Sequence, residues 1–200
     1  MELGDDGSKN IYPTLPITRL VILIGLPGSG KTTLAQYLLT ASPERRLIST
    51  DAIRAQLFGD EAVQGPWLQV WQEVQHQLQQ ALEQISQGHI PDAIYDATNT
   101  ARKQRRRVLT LARNLGFQEI VGFWLDLPLD VCLARNRQRD RVVPEAVMLR
   151  MHRQLLGAPP ALEEGFTSLI RQSDANRLSS MGGNCDRPAR KNRTPLQKDL

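Results

Sequence analysis

Short apolar runs recur along the chain, and they alternate with longer segments in which apolar residues follow helical spacing. Residues 20–24 are apolar at every position, which is typical of a strand buried on both faces of a sheet. Residues 47–50, 93–95 and 119–125 predict three further strands. The hydrophobic pattern therefore predicts four strands, each followed by a more polar segment.

The segments between these runs predict helices over residues 32–39, 52–58, 66–87, 101–115 and 144–156, and one that begins at residue 128. Gly59, Gly88 and Gly116 follow three of them and favour helix ends at those points. The longest helix carries an apolar stripe with helical spacing: Trp67, Val70, Trp71, Val74, Leu78, Leu82 and Ile85. Because both tryptophans share this stripe with Val and Leu, the pattern favours a core role for them over a platform for nucleobases.

Alternating strands and helices predict an α/β fold, with a mainly parallel sheet between two layers of helices. Functional side chains then lie at the carboxyl ends of the strands. We expect residues 1–18 to be a flexible N-terminal segment, residues 19–172 to be the folded domain and residues 173–200 to be a disordered basic tail.

The composition is that of an ordinary globular protein, with 40% hydrophobic and 23% charged residues among 200. The net charge of +4 permits an anionic substrate but does not demonstrate nucleic-acid binding. Cys132 and Cys185 cannot build a disulfide framework or a zinc site. The start lacks the features of a signal peptide and no apolar run is long enough to cross a membrane, so we expect a cytoplasmic protein.

The segment between the first predicted strand and helix fits the pattern G-x-x-x-x-G-K-[ST] in full. Such a loop turns backbone N–H groups toward a phosphate group, and the helix behind it adds a favourable dipole. We expect Lys31 to reach the β- and γ-phosphates of ATP and the Thr32 hydroxyl to ligate Mg²⁺. The predicted nucleotide-binding residues are Gly25, Pro27, Gly28, Ser29, Gly30, Lys31, Thr32 and Thr33. This motif indicates a P-loop NTPase fold.

Asp51 follows the second predicted strand, in the segment STDAIRAQLFG. A carboxylate at this place is suited either to cap the next helix or to act as general base toward an acceptor hydroxyl, and the two roles are compatible. Arg54 lies three residues later, on the same helical face, where it is able to pair with Asp51 or to hold an anionic substrate. A solvated surface arginine is the alternative for Arg54.

Asp96 ends the third predicted strand, which is the position of a metal-binding carboxylate in P-loop proteins. A simple turn residue is the alternative. Asn99 or Thr100 is expected to cap the following helix.

Two arginine clusters follow. Arg135, Arg137, Arg139 and Arg141 interleave with polar residues, as in a mobile lid that stabilises phosphoryl transfer, although a solvated helix end has the same composition. The second cluster is formed by Arg102, Lys103, Arg105, Arg106 and Arg107. There a solvated helix face is favoured, and a basic face for nucleic acid is the alternative.

The ordered set GLPGSGKTT, STDAIRAQLFG, IYDATN, CLARNRQRDRVVPEAVMLRM and EEGF resembles the P-loop kinases of the AAA-type ATP-binding group, in particular the 5′-kinase domain of phage-type polynucleotide kinase. The resemblance spans about residues 20–170. It implies a kinase-type P-loop fold with an arginine-rich lid, with ATP and Mg²⁺ as cofactors.

The resemblance also implies roles for individual residues. Asp51 is then the general base, and Arg54 holds a substrate phosphate. The lid arginine of R-N-x-x-R is Arg139, a catalytic group beside Lys31. In the D-x-T-N element, Asp96, Thr98 and Asn99 lie near the acceptor, and Asp96 also lies near the metal held by Thr32.

The most specific expectation is a kinase that transfers the γ-phosphoryl group of ATP to a hydroxyl acceptor, either a nucleic-acid 5′ end or a small molecule. Relatives in the family act on antibiotics, sugars and nucleotide sugars, so a small-molecule or nucleotide-sugar kinase is an alternative. A P-loop NTPase switch is the alternative from another class, but it needs a water-positioning residue, and no residue stands out for that role.

Overall fold

A single parallel sheet organises the computed structural model, which describes residues 16–173 except residues 62 and 64. Its strands are β1 (Arg19–Gly25), β2 (Arg46–Ser49), β3 (Ala93–Asp96), β4 (Glu119–Leu125) and β5 (Ser168–Gln172), in the order β2-β3-β1-β4-β5. All neighbouring strands pair in parallel. The expected α/β fold with a parallel sheet is confirmed.

The helices are α1 (Lys31–Ala41), α2 (Thr50–Phe58), α3 (Trp67–Ser86), α4 (Arg102–Leu115), α5 (Leu129–Arg137) and α6 (Glu145–Gly157). A short 3₁₀ helix, Leu162–Glu164, precedes β5. Each predicted helix is present, with ends that differ by one or two residues. None of the helices in the described part of the chain combines the length and the apolar character that a membrane-crossing segment requires.

Strand β1 is buried on both sides, and its alternate residues belong to two separate hydrophobic cores. Leu20, Ile22 and Ile24 pack with helices α2 to α6 on one face. Val21 and Leu23 pack against α1 on the other face, with Leu34 and Ala35. The three-layer arrangement follows from this division of one apolar strand between two helical layers.

The strand β5 was not among the predicted strands. It lies at the edge of the sheet, and its residues are exposed or half-buried. Because an edge strand needs no continuous apolar run, its sequence, SLIRQ, gives little signal. It nevertheless completes the sheet by pairing along β4 from Val121 to Leu125.

Thr18 belongs to the fold, although the sequence pattern places it at the end of the flexible segment. It is buried, and its hydroxyl donates to the Gly116 carbonyl and accepts from the Gln118 amide, each at 3.0 Å. Residues 1–15, the predicted tail from residue 174 onward and Cys185 lie outside the described residues.

The expected solvated face of α4 is wrong for Arg105. This side chain is fully buried, and it forms two hydrogen bonds with the Glu164 carboxylate, at 2.6 and 2.8 Å. It also donates to the carbonyls of Thr100 at 2.9 Å and Ala158 at 2.8 Å. Arg105 therefore ties the start of α4 to the segment that leads into β5.

Candidate active site

The phosphate loop links β1 to α1 and lies at the centre of the sheet's carboxyl edge. Gly28 has a φ of +79°, and a Cβ there would lie 2.5 Å from the Cys132 carbonyl oxygen of α5. At Gly25, with a φ of +155°, a Cβ would lie 2.8 Å from the Leu125 carbonyl oxygen. Only glycine fits these two positions, so the loop conformation depends on the motif's own residue types.

Lys31 begins α1 and its ammonium group turns back into the loop. Its Nζ donates to the Gly25 carbonyl at 3.1 Å and to the Leu26 carbonyl at 2.8 Å. Burial lowers the pKa of Lys31 to about 8, and the nearby Asp96 carboxylate partly opposes this effect. A buried cation beside a ring of backbone amides is a suitable partner for phosphate oxygens.

The other loop residues differ in exposure. Pro27 and Ser29 are buried, whereas Thr32 and Thr33 in the first turn of α1 are exposed. The Thr32 hydroxyl and the Asp96 carboxylate are oxygen donors of the kind that Mg²⁺ takes together with nucleotide phosphates. The residues present therefore fit a magnesium–nucleotide complex.

Asp96 is the last residue of β3, between β2 and the phosphate-loop strand β1. Burial raises the pKa of this carboxyl group, and the Lys31 ammonium opposes the rise. The structure thus places Asp96 beside the loop lysine, at the carboxyl edge where the sequence predicts it.

Asp51 lies in the first turn of α2, directly after β2. The helix is capped by Ser49, whose Oγ accepts from the Ala52 amide, so the alternative of a capping role for Asp51 is wrong. Arg54 Nη1 donates to Asp51 Oδ1 at 2.8 Å. Arg141 Nη1 lies 3.5 Å from the same oxygen. Asp51 Oδ2 accepts no hydrogen bond from the described residues.

Arg141 also lies 3.5 Å from a Glu61 oxygen, so it joins the segment between α5 and α6 to the segment between α2 and α3. The sequence gives no signal for this contact, because the two segments lie about 80 positions apart and each looks like an ordinary polar connection. Arg141 appears in the sequence only as one of four interleaved arginines.

Arg139 follows α5 and is exposed. Its charge lowers the pKa values of both Lys31 and Asp96, with smaller effects than burial. The Asp51 carboxylate has the opposite effect and raises the pKa values of the same two groups. The structure therefore brings Lys31, Asp51, Asp96 and Arg139 together around one space beside the phosphate loop.

Thr98 and Asn99 join the β3 turn to the base of the phosphate loop. The Thr98 carbonyl accepts from the Gly25 amide at 3.0 Å. Asn99 is buried with a φ of +50°, and its Nδ2 donates to the Leu23 carbonyl at 2.7 Å. Ala101 caps α4 without a side-chain bond, so the expected caps at Asn99 and Thr100 are wrong. Thr100 instead donates to Gln154 Oε1.

Comparison with known proteins places this geometry in a family. The model of a family described as AAA domain matches residues 20–158. A search of curated proteins finds no match.

Solved structures share the fold. A chain of the Pnkp1/Rnl/Hen1 RNA repair complex superposes with a TM-score of 0.62 at 22% identity, over 75% of this chain and 47% of that one. A fungal RNA kinase gives 0.56 at 18% identity, over 88% and 92%. A gluconokinase from Sinorhizobium meliloti 1021 gives 0.53 at 14%, over 82% and 87%. The present chain spans about half of the length of the RNA repair chain.

The family model covers more than half of the chain, and it includes the phosphate loop, Asp51, Asp96 and Arg139. The structural neighbours include kinases with polynucleotide and with small-molecule names. The chain therefore belongs to this AAA-domain family.

Proposed function

We propose that this P-loop protein is a kinase that transfers the γ-phosphoryl group of ATP to a hydroxyl group, with Asp51 as general base. The observation that carries the proposal is the state of the Asp51 carboxylate. Its Oδ1 faces the guanidinium groups of Arg54 and Arg141, whereas Oδ2 accepts no hydrogen bond from the described residues. One oxygen is thus fixed and the other is available for a proton.

The donor half of the reaction uses the phosphate loop. Backbone amides of residues 25–30 would surround the phosphates of bound ATP, and Lys31 would supply a positive charge among them. Thr32 and Asp96 would hold Mg²⁺, which neutralises charge on the phosphate oxygens when it is bound. Lys31 is buried and Asp96 is half-buried, so charges on this side of the site are poorly screened by solvent and act strongly.

The acceptor half uses Asp51. As the acceptor oxygen bonds to the γ-phosphorus atom, Asp51 Oδ2 accepts the hydroxyl proton and the bond from the γ-phosphorus to the bridging oxygen breaks. ADP leaves with that bridging oxygen. Arg139, which is exposed after α5 and acts electrostatically on Lys31, would offset negative charge on the transferred group.

The acceptor is proposed to be a polynucleotide 5′-hydroxyl, with a small molecule or a nucleotide sugar as the alternative. The names of the structural neighbours include both RNA kinases and a gluconokinase. The exposed basic residues of α4 support the polynucleotide, because α4 starts directly after the β3 turn at the site. The expected cytoplasmic location belongs to the same proposal.

The test is transfer of label from γ-labelled ATP with Mg²⁺ to 5′-hydroxyl oligonucleotides and, separately, to a metabolite pool. Asp51→Asn is expected to lower turnover by about 10²- to 10⁴-fold, while ATP affinity is retained, because only proton acceptance is lost. Glu83→Gln removes a carboxylate from α3 and serves as the matched control.

Label on oligonucleotides supports the polynucleotide acceptor, and label only in the metabolite pool supports the alternative. Acceptor-independent release of phosphate that is unchanged in Asp51→Asn would overturn the kinase mechanism in favour of an NTPase switch.

A further inference from the structure

The first turns of α3 and α4 lie at the same edge of the sheet as Asp51 and Asp96. Helix α4 begins directly after the turn that follows β3. Helix α3 ends at Ser86, a short connection before the amino end of β3, so its first turn lies at the opposite, carboxyl edge. The start of each helix therefore faces the side from which an acceptor approaches.

The start of α3 presents an aromatic pair. Trp71 is buried, but Trp67 remains 39% exposed, so the expected core role is wrong for Trp67. The two rings stack, with their centroids 6.3 Å apart and their planes 26° apart. The buried Trp71 ring orders the Trp67 ring, which therefore presents a fixed and partly exposed aromatic surface.

The start of α4 adds positive charge beside this pair. The guanidinium carbon of Arg107 lies 4.2 Å from the centroid of the Trp71 ring, which is a cation–π contact. Lys103 and Arg106 are exposed on the same helix, and neither forms an ion pair with another described residue. No acidic residue occurs in α4. This surface therefore suits a polyanion.

Tyr95 connects the surface to the reaction site. It is a buried residue of β3, next to Asp96. Burial raises the pKa of its hydroxyl, and Arg54 and Arg107 both oppose the rise. Arg54, which pairs with Asp51, and Arg107, which lies over Trp71, therefore both act electrostatically on Tyr95, the residue before Asp96.

We propose that Trp67, Trp71, Lys103, Arg106 and Arg107 form a binding surface for single-stranded nucleic acid. Trp67 stacks on a base, and the cations of α4 contact backbone phosphates. Aromatic rings interleaved with cations bind single strands in this way without reading their sequence. As the place for an acceptor strand, the surface rests on the proposed kinase function, but its binding of nucleic acid is measurable without catalysis.

The first test is fluorescence anisotropy of a labelled single-stranded oligonucleotide of about ten nucleotides, with the full-length chain. Trp67→Ala is expected to weaken binding by at least about fivefold, and Trp67→Phe is expected to lose less, because a ring is retained. Leu68→Ala is the matched control, since Leu68 is the next residue of α3 and is 62% exposed. Melting temperatures confirm that each variant is folded.

The second test separates charge from stacking. Arg106→Ala is expected to reduce the slope of log affinity against log salt by about 0.7, the value for one phosphate contact on a single strand. Arg46→Ala, at the amino end of the edge strand β2, removes an exposed arginine from the opposite edge of the sheet and should leave the slope unchanged. Equal slopes in the Arg106→Ala variant and the wild type would overturn the phosphate contacts.

The third test links the surface to phosphoryl transfer. Trp67→Ala is expected to raise KM for a 5′-hydroxyl oligonucleotide, but not for a nucleoside 3′-phosphate, which has no following nucleotides. KM for ATP should not change.

The outcomes distinguish this inference from the kinase proposal. Wild-type affinity of Trp67→Ala for the oligonucleotide overturns the surface and leaves the kinase. Phosphoryl transfer to metabolites without any oligonucleotide binding also overturns the surface and leaves the kinase. Binding that depends on Trp67, without transfer to any acceptor, supports the surface and overturns the kinase.

Discussion

Burial lowers the pKa of Lys31 into a pH range that is accessible to binding experiments. Its pKa of about 8 lies below the ordinary value of 10.5, so the ammonium group is charged at neutral pH and loses its proton as the pH rises through about 8. Phosphates favour the charged form, and nucleotide binding is therefore coupled to proton uptake above that pH.

We predict that ATP affinity, measured by calorimetry in the presence of Mg²⁺, falls between pH 7 and pH 9, by up to about tenfold per pH unit at the alkaline end. Lys31→Met is expected to bind more weakly throughout and to lose this dependence. A wild-type affinity that stays constant across the range would show that Lys31 does not contact the phosphates.

Arg141 provides a milder perturbation at the same site. It lies 3.5 Å from both Asp51 and Glu61, and all three side chains are partly exposed. Because ion pairs of this kind contribute about 0.2–1 kcal/mol, Arg141→Gln is expected to lower kcat/KM for the acceptor by about fivefold or less. ATP affinity should not change.

The control is Arg137→Gln, because the Arg137 side chain pairs with Glu145 and forms no ion pair with Asp51 in the described part of the chain. Loss of activity in Arg141→Gln as large as that expected for Asp51→Asn would instead place Arg141 in direct contact with the transferred group.

The conformation of the phosphate loop was predictable from the sequence, because Gly25 and Gly28 meet local backbone requirements. Arg141 and Glu61 were not, since their contact joins two connections that are distant in sequence. The cap of α2 shows a subtler limit. Ser49 and Asp51 are both good capping residues. Only the residue at which the helix starts decides that Ser49 is the cap and that Asp51 has no capping role.

At the scale of elements, the buried pair of Arg105 and Glu164 holds α4 to the 3₁₀ helix before β5. We predict that Arg105→Met lowers the free energy of unfolding in urea by about 3–5 kcal/mol, because the Glu164 carboxylate is left buried without its partner. The double variant Arg105→Met, Glu164→Leu is expected to recover much of this loss, since it removes both charges.

Arg102→Met is the matched control for the element-scale prediction. Arg102 also approaches Glu164, at 3.7 Å, but its side chain is 48% exposed. Its loss is expected to cost less than about 1 kcal/mol. Equal losses for the two single variants would contradict the structural role of the buried guanidinium.

A strand or helix could be predicted from the sequence when its burial requires a clear pattern of apolar residues. The central strands β1 and β4 were visible because their residues fill two cores, whereas the exposed edge strand β5 was not. Helix α4 was predicted, but not the role of Arg105. Among five basic residues in a six-residue stretch, nothing local marks the one that meets a glutamate 59 positions later.

At the scale of the whole molecule, the sheet, both cores and the candidate site lie between residues 16 and 173. We predict that a fragment of these residues binds ATP like the full chain and melts within about 3 °C of it, a shift that corresponds to about 1 kcal/mol. Thermal melting with and without ATP and Mg²⁺ measures both properties. A much lower melting temperature would show that residues outside this range stabilise the fold.

The close contact between Gly28 and the Cys132 carbonyl has a consequence for motion. Because there is no room for even a methyl group between them, we expect the phosphate loop and α5 to move as one body. We therefore expect any closing movement over the nucleotide to pivot beyond α5, within residues 138–143, where the chain leaves the helix. In such a movement, Arg139 and Arg141 would move with the segment between α5 and α6, while Lys31 would keep its position at the start of α1.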